Sequence, residues 1–304
     1  ARPGSNLDLG MQDPPVDFDA NIYQSLYPDL GGMTEGELHE HYRRFGRFEG
    51  RRAHSLSTRV DFAMLASAER ALEIGPFTRP LLVGSNVKYA DIHTTAQLQE
   101  IAPHLGLIAS DVPEISWVVS PSDLTTIDER FDAVLTGHVI EHQPNLVGHL
   151  QQVSALLGPG GRYLVLAPDY RYSFDHFMRP STIADVLDAH ARNVQMRDPK
   201  SLIASRLCYA HNDSARHWAG DHGDPDIHPV FPEHDRITRL KLAYQQATLA
   251  PETLSNEHAW YLEPDTFASI LSDLNDLNLV DLRLERLYPT LHNTLEFWTI
   301  LRKH

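Results

Sequence analysis

Three histidines stand just past apolar, strand-like runs. His138 and His142 follow Phe131-Asp132-Ala133-Val134, and His176 follows Ala167-Pro168-Asp169. A free imidazole titrates near ~6.5, so at neutral pH it can take a proton from an acceptor hydroxyl. His142 is the first candidate for such a base and His138 the second. His176 is the third, with Asp175 placed to orient its ring. The alternative for His138 and His142 is a structural role, bonding the loop and Glu141. Two further residues have chemistry written in their position. Gly75 ends the run Leu72-Glu73-Ile74, and a glycine there lets a ligand approach the backbone closely. Asp91 ends Tyr89-Ala90-Asp91, where a carboxylate can accept hydrogen bonds from a diol.

A denser set of metal-ligating types lies further on: His211, Asp213, His217, Asp221, His222, Asp224, Asp226, His228, His234 and Asp235. Imidazole and carboxylate suit Zn²⁺, Fe²⁺ or Ni²⁺. No His-Glu-x-x-His pair is present, however, and Pro225, Pro229 and Pro232 prevent regular helical spacing. A solvated loop or a substrate-contacting lid is the favoured reading, with a divalent metal not favoured and no metal ligand assigned.

The whole chain bounds the function. It has 304 residues with 26 basic and 41 acidic side chains, so 26 − 41 = −15. A nucleic-acid partner needs a cationic face, and an anionic membrane surface needs the same, so both are disfavoured. The 18 histidines would carry the balance to −15 + 18 = +3 if all were protonated. Cys208 is the only cysteine, which excludes an intrachain disulfide and fits a reducing, cytoplasmic setting. No apolar run approaches the ~20 residues that span a bilayer. The opening Ala1-Arg2-Pro3-Gly4-Ser5 lacks the apolar core of a signal peptide.

Elements that position these residues follow from pattern. Residues 1–16, rich in Pro, Gly, Asp and Asn, read as a flexible arm. Residues 17–57 read as a small helical module. Asp19 caps a first helix there, and Thr34 with Glu37 forms a capping box opening a second, 35–46. From 58 onward strands and helices alternate: helix 58–68, strands at 70–74, 87–91, 115–120, 131–136 and 162–167, and an amphipathic helix at 145–157 that ends in Gly158-Pro159-Gly160-Gly161. Alternation of this kind implies an α/β fold with a mostly parallel sheet. Helix 264–274 is then followed by two strands, 279–288 and 294–302, close enough for an antiparallel hairpin at the sheet edge. The segment 175–260 interrupts the alternation and reads as an inserted lid over the acceptor site.

These blocks, in this order, resemble the class I S-adenosylmethionine-dependent methyltransferases. Glu73-Ile74-Gly75 resembles their first motif, Asp91 the acid of the second, and Phe131-Asp132-Ala133-Val134 the fourth strand. His138-Val139-Ile140-Glu141-His142 and Leu156-Leu157-Gly158-Pro159-Gly160-Gly161 continue the match, which covers roughly 58–174 plus the final hairpin. It implies a Rossmann-like seven-stranded sheet over 58–304. It also implies S-adenosylmethionine as cofactor and S-adenosylhomocysteine as product. The loop has Pro76 and Phe77 where the family often has further glycines, which disfavours a dinucleotide more than it disfavours this phosphate-free cofactor. By resemblance Glu73, Gly75 and Pro76 lie at the methionine end, with Asp91 and Ile92 at the ribose and Ser122, Asp123 and Leu124 at the adenine. Thr136, Gly137 and His138 lie beneath the sulfonium.

The block Asp169-Tyr170-Arg171-Tyr172 through His176, with Glu257-His258-Ala259-Trp260 before the late helix, resembles a bacterial subgroup found alongside glycosyltransferases. The module at 17–57 resembles those attached to glycan-assembly proteins. Asp169, Arg171, Tyr172, His176, His258 and Trp260 are thereby expected to touch the acceptor. The expected function is methyl transfer to a small-molecule or sugar-containing acceptor, at oxygen, in a chain that can form a homo-oligomer. The alternatives are an N-methyltransferase of a secondary metabolite or peptide, and a non-catalytic cofactor-binding scaffold. A nicotinamide dehydrogenase is disfavoured by the glycine-poor loop and the C-terminal hairpin.

Overall fold

The computed structural model describes residues 14–67, 69–196, 199–249 and 257–304. Most of the expected arm (1–13), residue 68 at the end of the first expected domain helix, and 250–256 of the insertion lie outside them.

The N-terminal module is built from α1 (Ala20–Leu26) and α2 (Glu35–His41). Asp19 accepts from the Asn21 and Ile22 N–H groups, and Thr34 and Glu37 form a reciprocal capping box. The helix expected to run to residue 46 leaves α-geometry at Tyr42 and closes in a wide turn, Tyr42–Gly46. Gly46 is the reason: a β-carbon there would lie 2.1 Å from the Tyr23 hydroxyl and 2.9 Å from the Tyr42 ring. That close approach lets Tyr23, Leu30, Leu38, Tyr42 and Ala53 form a small core of their own. The module is fastened to the rest of the chain by the Arg47–Asp265 ion pair, by His292 N donating to Gly50 O, and by His54 buried against Tyr288 and Trp298.

After α3 (Arg59–Ala63) the chain builds one seven-stranded sheet: β1 (Ala71–Ile74), β2 (Val87–Asp91), β3 (Trp117–Val118), β4 (Phe131–Gly137), β5 (Leu157–Pro168), β6 (Leu282–Tyr288) and β7 (Glu296–Lys303). Their order is β3-β2-β1-β4-β5-β7-β6. The first five are parallel, and β7 runs antiparallel between β5 and β6. This is the Rossmann-like, mostly parallel seven-stranded sheet with an antiparallel C-terminal hairpin that the sequence predicts. β1 and the inner stretches of β4 and β5 are buried on both faces, as strands covered by helices on two sides must be. Helices α4 (Thr95–Ile101) and α5 (Leu146–Leu156) link strands, α6 (Ile183–Ala191) follows β5, and α10 (Pro264–Asp276) leads into β6. Residues of α5, α6 and α10 share one core with the sheet, while Phe62, Ala63 and Ala66 pack on its other face with Tyr288 and Trp298.

Two boundaries differ from the sequence pattern, and one edge is covered in a way it does not announce. The third strand keeps only Trp117–Val118 of the expected 115–120, since Ser120 folds back on Asp123 and Pro121 has no N–H to extend the ladder. The glycine run 158–161 lies inside β5 as an irregularity in its pairing with β4, not in a turn before it. The edge strand β6 is covered by the end of the N-terminal segment, where Leu287 N donates to Pro15 O and Asp17 N to Leu287 O.

The insertion is more regular than its composition suggests. It holds α6, α7 (Pro199–Cys208), α8 (Ser214–Trp218) and α9 (Arg236–Leu249). Arg239, 2% exposed, ties it together by donating to the backbone carbonyls of Arg206, Asp226 and His234 at 3.0, 3.2 and 3.0 Å.

Candidate active site

The C-terminal ends of β1, β2 and β4 open on a cavity of about 920 Å³. An open parallel sheet leaves such a crevice where its strand order reverses, here between β1 and β4. β1 delivers Gly75, whose N–H donates to Ala90 O at 2.8 Å. Its φ of 71° is a left-handed conformation, and a β-carbon on it would lie 2.6 Å from Val139 Cγ2. Glycine therefore makes this wall of the cavity bare backbone.

Glu73 and Asp91 hold the loop beyond Gly75 from two sides. Glu73, buried, accepts from Leu81 N and Leu82 N at 2.8 to 3.0 Å. Burial pushes its carboxyl up to about 7, although both amides pull the other way. Asp91 accepts from Phe77 N through Oδ2 (3.1 Å) and from His93 N through Oδ1 (2.9 Å). A carboxylate offers about four acceptor directions, so Oδ2 keeps capacity for a ligand hydroxyl. Beyond Asp91, Ile92, Leu105, Leu107, Val119 and Leu124 give the cavity an apolar end.

The other end is polar. His138 and His142 line it from the loop after β4, the insertion contributes Arg206, Tyr209, Glu257 and His258, and Tyr261 follows just beyond it. His138 has a positive φ of 56°, and its Nε2 lies 2.7 Å from Glu296 Oε2 at the start of β7. Because a carboxylate only accepts, Nε2 donates to it. Burial raises the Glu296 carboxyl, but the His138 hydrogen bond and the nearby Arg59 outweigh it and hold the group below its ordinary range. Phe174 and Tyr209 stack at 4.6 Å across the floor.

Of the residues expected at the cofactor, Glu73, Gly75, Pro76, Asp91, Ile92, Leu124, Gly137 and His138 line this cavity. Ser122, Asp123 and Thr136 are not among its lining. Asp123 accepts from Thr125 in a turn, and Thr136 is buried against the Tyr163 hydroxyl. Of the acceptor-side expectations, His258 lines the cavity. Asp169 is buried, bound by Arg171 on both oxygens and by Thr290. Tyr172 stacks on Trp218, and Trp260 donates to Gln143 O inside the core. His176 also lies away from the lining, its Nδ1 donating to Arg171 O at 2.6 Å. The orienting partner expected for it is engaged elsewhere: Asp175 Oδ2 is 2.5 Å from His258 Nδ1. Adjacent side chains on an irregular segment diverge, so Asp175 turns inward while His176 stacks on His222. Glu296 and Arg206 escape the sequence pattern, because nothing local marks a residue that reaches a site from a distant element; Glu257 lies within the quoted block before the late helix but is not among the residues expected at the acceptor.

No protein-family model matches the sequence, and no curated protein matches it in sequence. Similar solved structures include the CcbJ methyltransferase from Streptomyces caelestis, at 14% identity and a TM-score of 0.41 over 81% of this chain and 93% of that one. They also include the trans-methyltransferase CalH in complex with SAH, at 13% and 0.40 over 88% of this chain and 60% of that one. A third is an S-adenosylmethionine-dependent methyltransferase from Clostridium acetobutylicum, at 10% and 0.40 over 88% of this chain and 98% of that one. At these levels of likeness, function is read from the site itself.

Proposed function

We propose that the chain is an S-adenosylmethionine-dependent methyltransferase that acts on an oxygen of a small-molecule or sugar-containing acceptor. The observation that carries this reading is the meeting of bare backbone at Gly75 with the carboxylate of Asp91 at one cavity mouth, between β1 and β4. The residues fit the cofactor: an apolar end for adenine, Asp91 for a ribose hydroxyl, and a glycine wall for the methionine part. Bound there, S-adenosylmethionine supplies a methyl group on a sulfonium, already a good leaving group.

The protein's own work is then alignment and proton removal. Holding reactants at near-attack distance is worth ~7–11 kcal/mol. A positioned base adds roughly 10²–10⁴-fold. His138 is the base we assign, since it lines the cavity and Glu296 accepts from its Nε2, which makes Nδ1, 3.7 Å from Glu141 Oε1, the nitrogen to receive the acceptor proton. Phe174, Tyr209 and Tyr261 reduce water at the acceptor end, and Arg206 and Glu257 offer charges to a polyhydroxy acceptor.

The test is incubation of the purified protein with S-adenosylmethionine and a panel of sugar, phenol and amine acceptors, read by mass for one added methyl. A methylated hydroxyl product supports the reading. A methylated amine product moves the reading to the nitrogen alternative. Cofactor binding with no product from any acceptor class favours a scaffold that attaches to partners through the 17–57 module.

A further inference from the structure

The loop after β4 buries a carboxylate that the described residues do not satisfy. Glu141 is 0% exposed, and neither of its side-chain oxygens has a hydrogen-bond partner among the described residues. Three imidazole nitrogens surround Oε1 instead: His138 Nδ1 at 3.7 Å, His142 Nε2 at 3.9 Å and His258 Nε2 at 3.9 Å. Those gaps exceed a hydrogen bond, and leaving a buried charge without one is costly. Burial pushes the Glu141 carboxyl up.

The surroundings are arranged as ligands are. His258 Nδ1 donates to Asp175 Oδ2 at 2.5 Å, and its Nε2 is the ring nitrogen on the side of Glu141, 3.9 Å from Oε1. A carboxylate behind an imidazole is the usual device for fixing the tautomer of a metal-bound histidine. The His142 and His258 rings lie 4.7 Å apart at 77°, edge to face and not stacked. One ligand atom each from Glu141, His142 and His258 falls within 4.8 Å of the others. Bonds of ~2.0–2.2 Å in a tetrahedral set put ligand atoms roughly 3.4 Å apart, so the two 3.9 Å gaps to Glu141 need to close by about 0.5 Å and the third, within 4.8 Å, closes as the rings turn onto the ion.

The frame that holds the three is stiff. Glu141 O accepts from Ala259 N (2.7 Å) and Trp260 N (3.2 Å), and the Trp260 indole donates to Gln143 O (2.5 Å). A second cluster, His176, His217 and His222, is equally compact. There the His176 and His222 rings stack face to face at 3.7 Å and 9°, which would force a shared ion out of the ring planes.

We propose that Glu141, His142 and His258 bind one divalent transition-metal ion of the Zn²⁺ type, with Asp175 holding His258 in the ligating tautomer. Two nitrogens and one carboxylate oxygen leave positions open toward the cavity that His142 and His258 line. There an acceptor oxygen can complete the coordination. The site stands on its own geometry; only this role as an acceptor anchor rests on the methyltransferase reading.

The experiment uses the whole chain, stripped with a strong chelator and titrated with Co²⁺ as an optical probe, then with competing Zn²⁺. One equivalent of Co²⁺ with the intense visible bands of low coordination, displaced by Zn²⁺, is expected. Asp175→Asn should weaken binding by about 10–100-fold and His258→Asn by at least as much, while His217→Asn leaves it unchanged. Circular dichroism checks that each variant is folded, and His142→Asn is the deciding variant should His258→Asn fail to fold. Absence of Co²⁺ binding, or its loss in His217→Asn and not in His258→Asn, overturns the site. S-adenosylhomocysteine binding is measured on the same samples. Binding of it without Co²⁺ defeats the metal site alone; Co²⁺ binding without it upholds the site and defeats the methyltransferase reading alone.

Discussion

Asp175 and His258, 83 residues apart in the chain, share a buried hydrogen bond of 2.5 Å. This bond fastens the end of the insertion to the mouth of β5, so the acceptor end of the cavity is assembled from both ends of one inserted segment. The cofactor end, by contrast, comes from neighbouring residues at the tips of β1 and β2. The two ends should therefore respond differently to substitution.

At the cofactor end, Gly75→Ala places a β-carbon 2.6 Å from Val139 Cγ2 on a residue with φ of 71°. A left-handed non-glycine residue costs about 1–3 kcal/mol. The variant should unfold at a lower denaturant concentration and bind S-adenosylhomocysteine more weakly. Unchanged unfolding and binding would show that the loop has another conformation available.

At the reacting centre, His138→Asn should lower kcat by roughly 10²–10⁴-fold while the cofactor dissociation constant stays put. Glu296→Gln should lower kcat less, since it disturbs the tautomer without removing the ring. Steady-state kinetics with calorimetry separates the two effects. An unaltered kcat in His138→Asn removes it as the base.

At the acceptor end, Arg239→Met removes three charge-assisted hydrogen bonds to the carbonyls of Arg206, Asp226 and His234. The change should loosen the insertion and raise the acceptor KM, with cofactor affinity unaffected. Faster amide hydrogen exchange confined to α7 and α9 is the structural readout. Equal protection in both proteins would argue that Arg239 is not the fastener.

Stability should fall with acidification in a window set by two buried histidines. Desolvation lowers His149 from its ordinary value near 6.5 to about 4, and His54 likewise to about 4. Both are neutral in the folded protein. As pH drops below ~6.5 the unfolded chain takes up protons that the folded chain refuses until about 4, so the stability they contribute is present above 6.5 and lost between 6.5 and 4. Each shift corresponds to about 3 kcal/mol. Denaturant melts from pH 7.5 down to 4.5 should show this fall, and His54→Leu should flatten part of it. Glu73, raised from its ordinary value to about 7, opposes part of this fall over the same window, so the deciding comparison is between the intact chain and His54→Leu: equal slopes would mean that His54 is protonated in the fold.

The cofactor end was legible because it is local. Apolar runs ending in Glu73-Ile74-Gly75 and Tyr89-Ala90-Asp91 announce both strand and turn, and the sheet follows from their alternation. The acceptor end was not, for the converse reason. Asp175 sits next to His176 in sequence but pairs with His258, and Glu296 reaches His138 across 158 positions. The helices of the insertion were hidden too: α7 buries only Leu202 and Ser205, so it carries no apolar stripe to read. The turn at Tyr42–Gly46 depends on a contact with Tyr23 that the capping pattern of α2 does not encode.

Titration calorimetry of S-adenosylhomocysteine into the intact chain and into Asp91→Ala is the most direct test of the central reading. Loss of a charge-assisted hydrogen bond is worth about 1.5–3 kcal/mol. The intact protein should bind one equivalent, and Asp91→Ala should bind roughly 10–100-fold more weakly while remaining folded. No binding by the intact protein, or equal binding by the variant, would contradict a ribose-holding Asp91 and the cofactor site built around it.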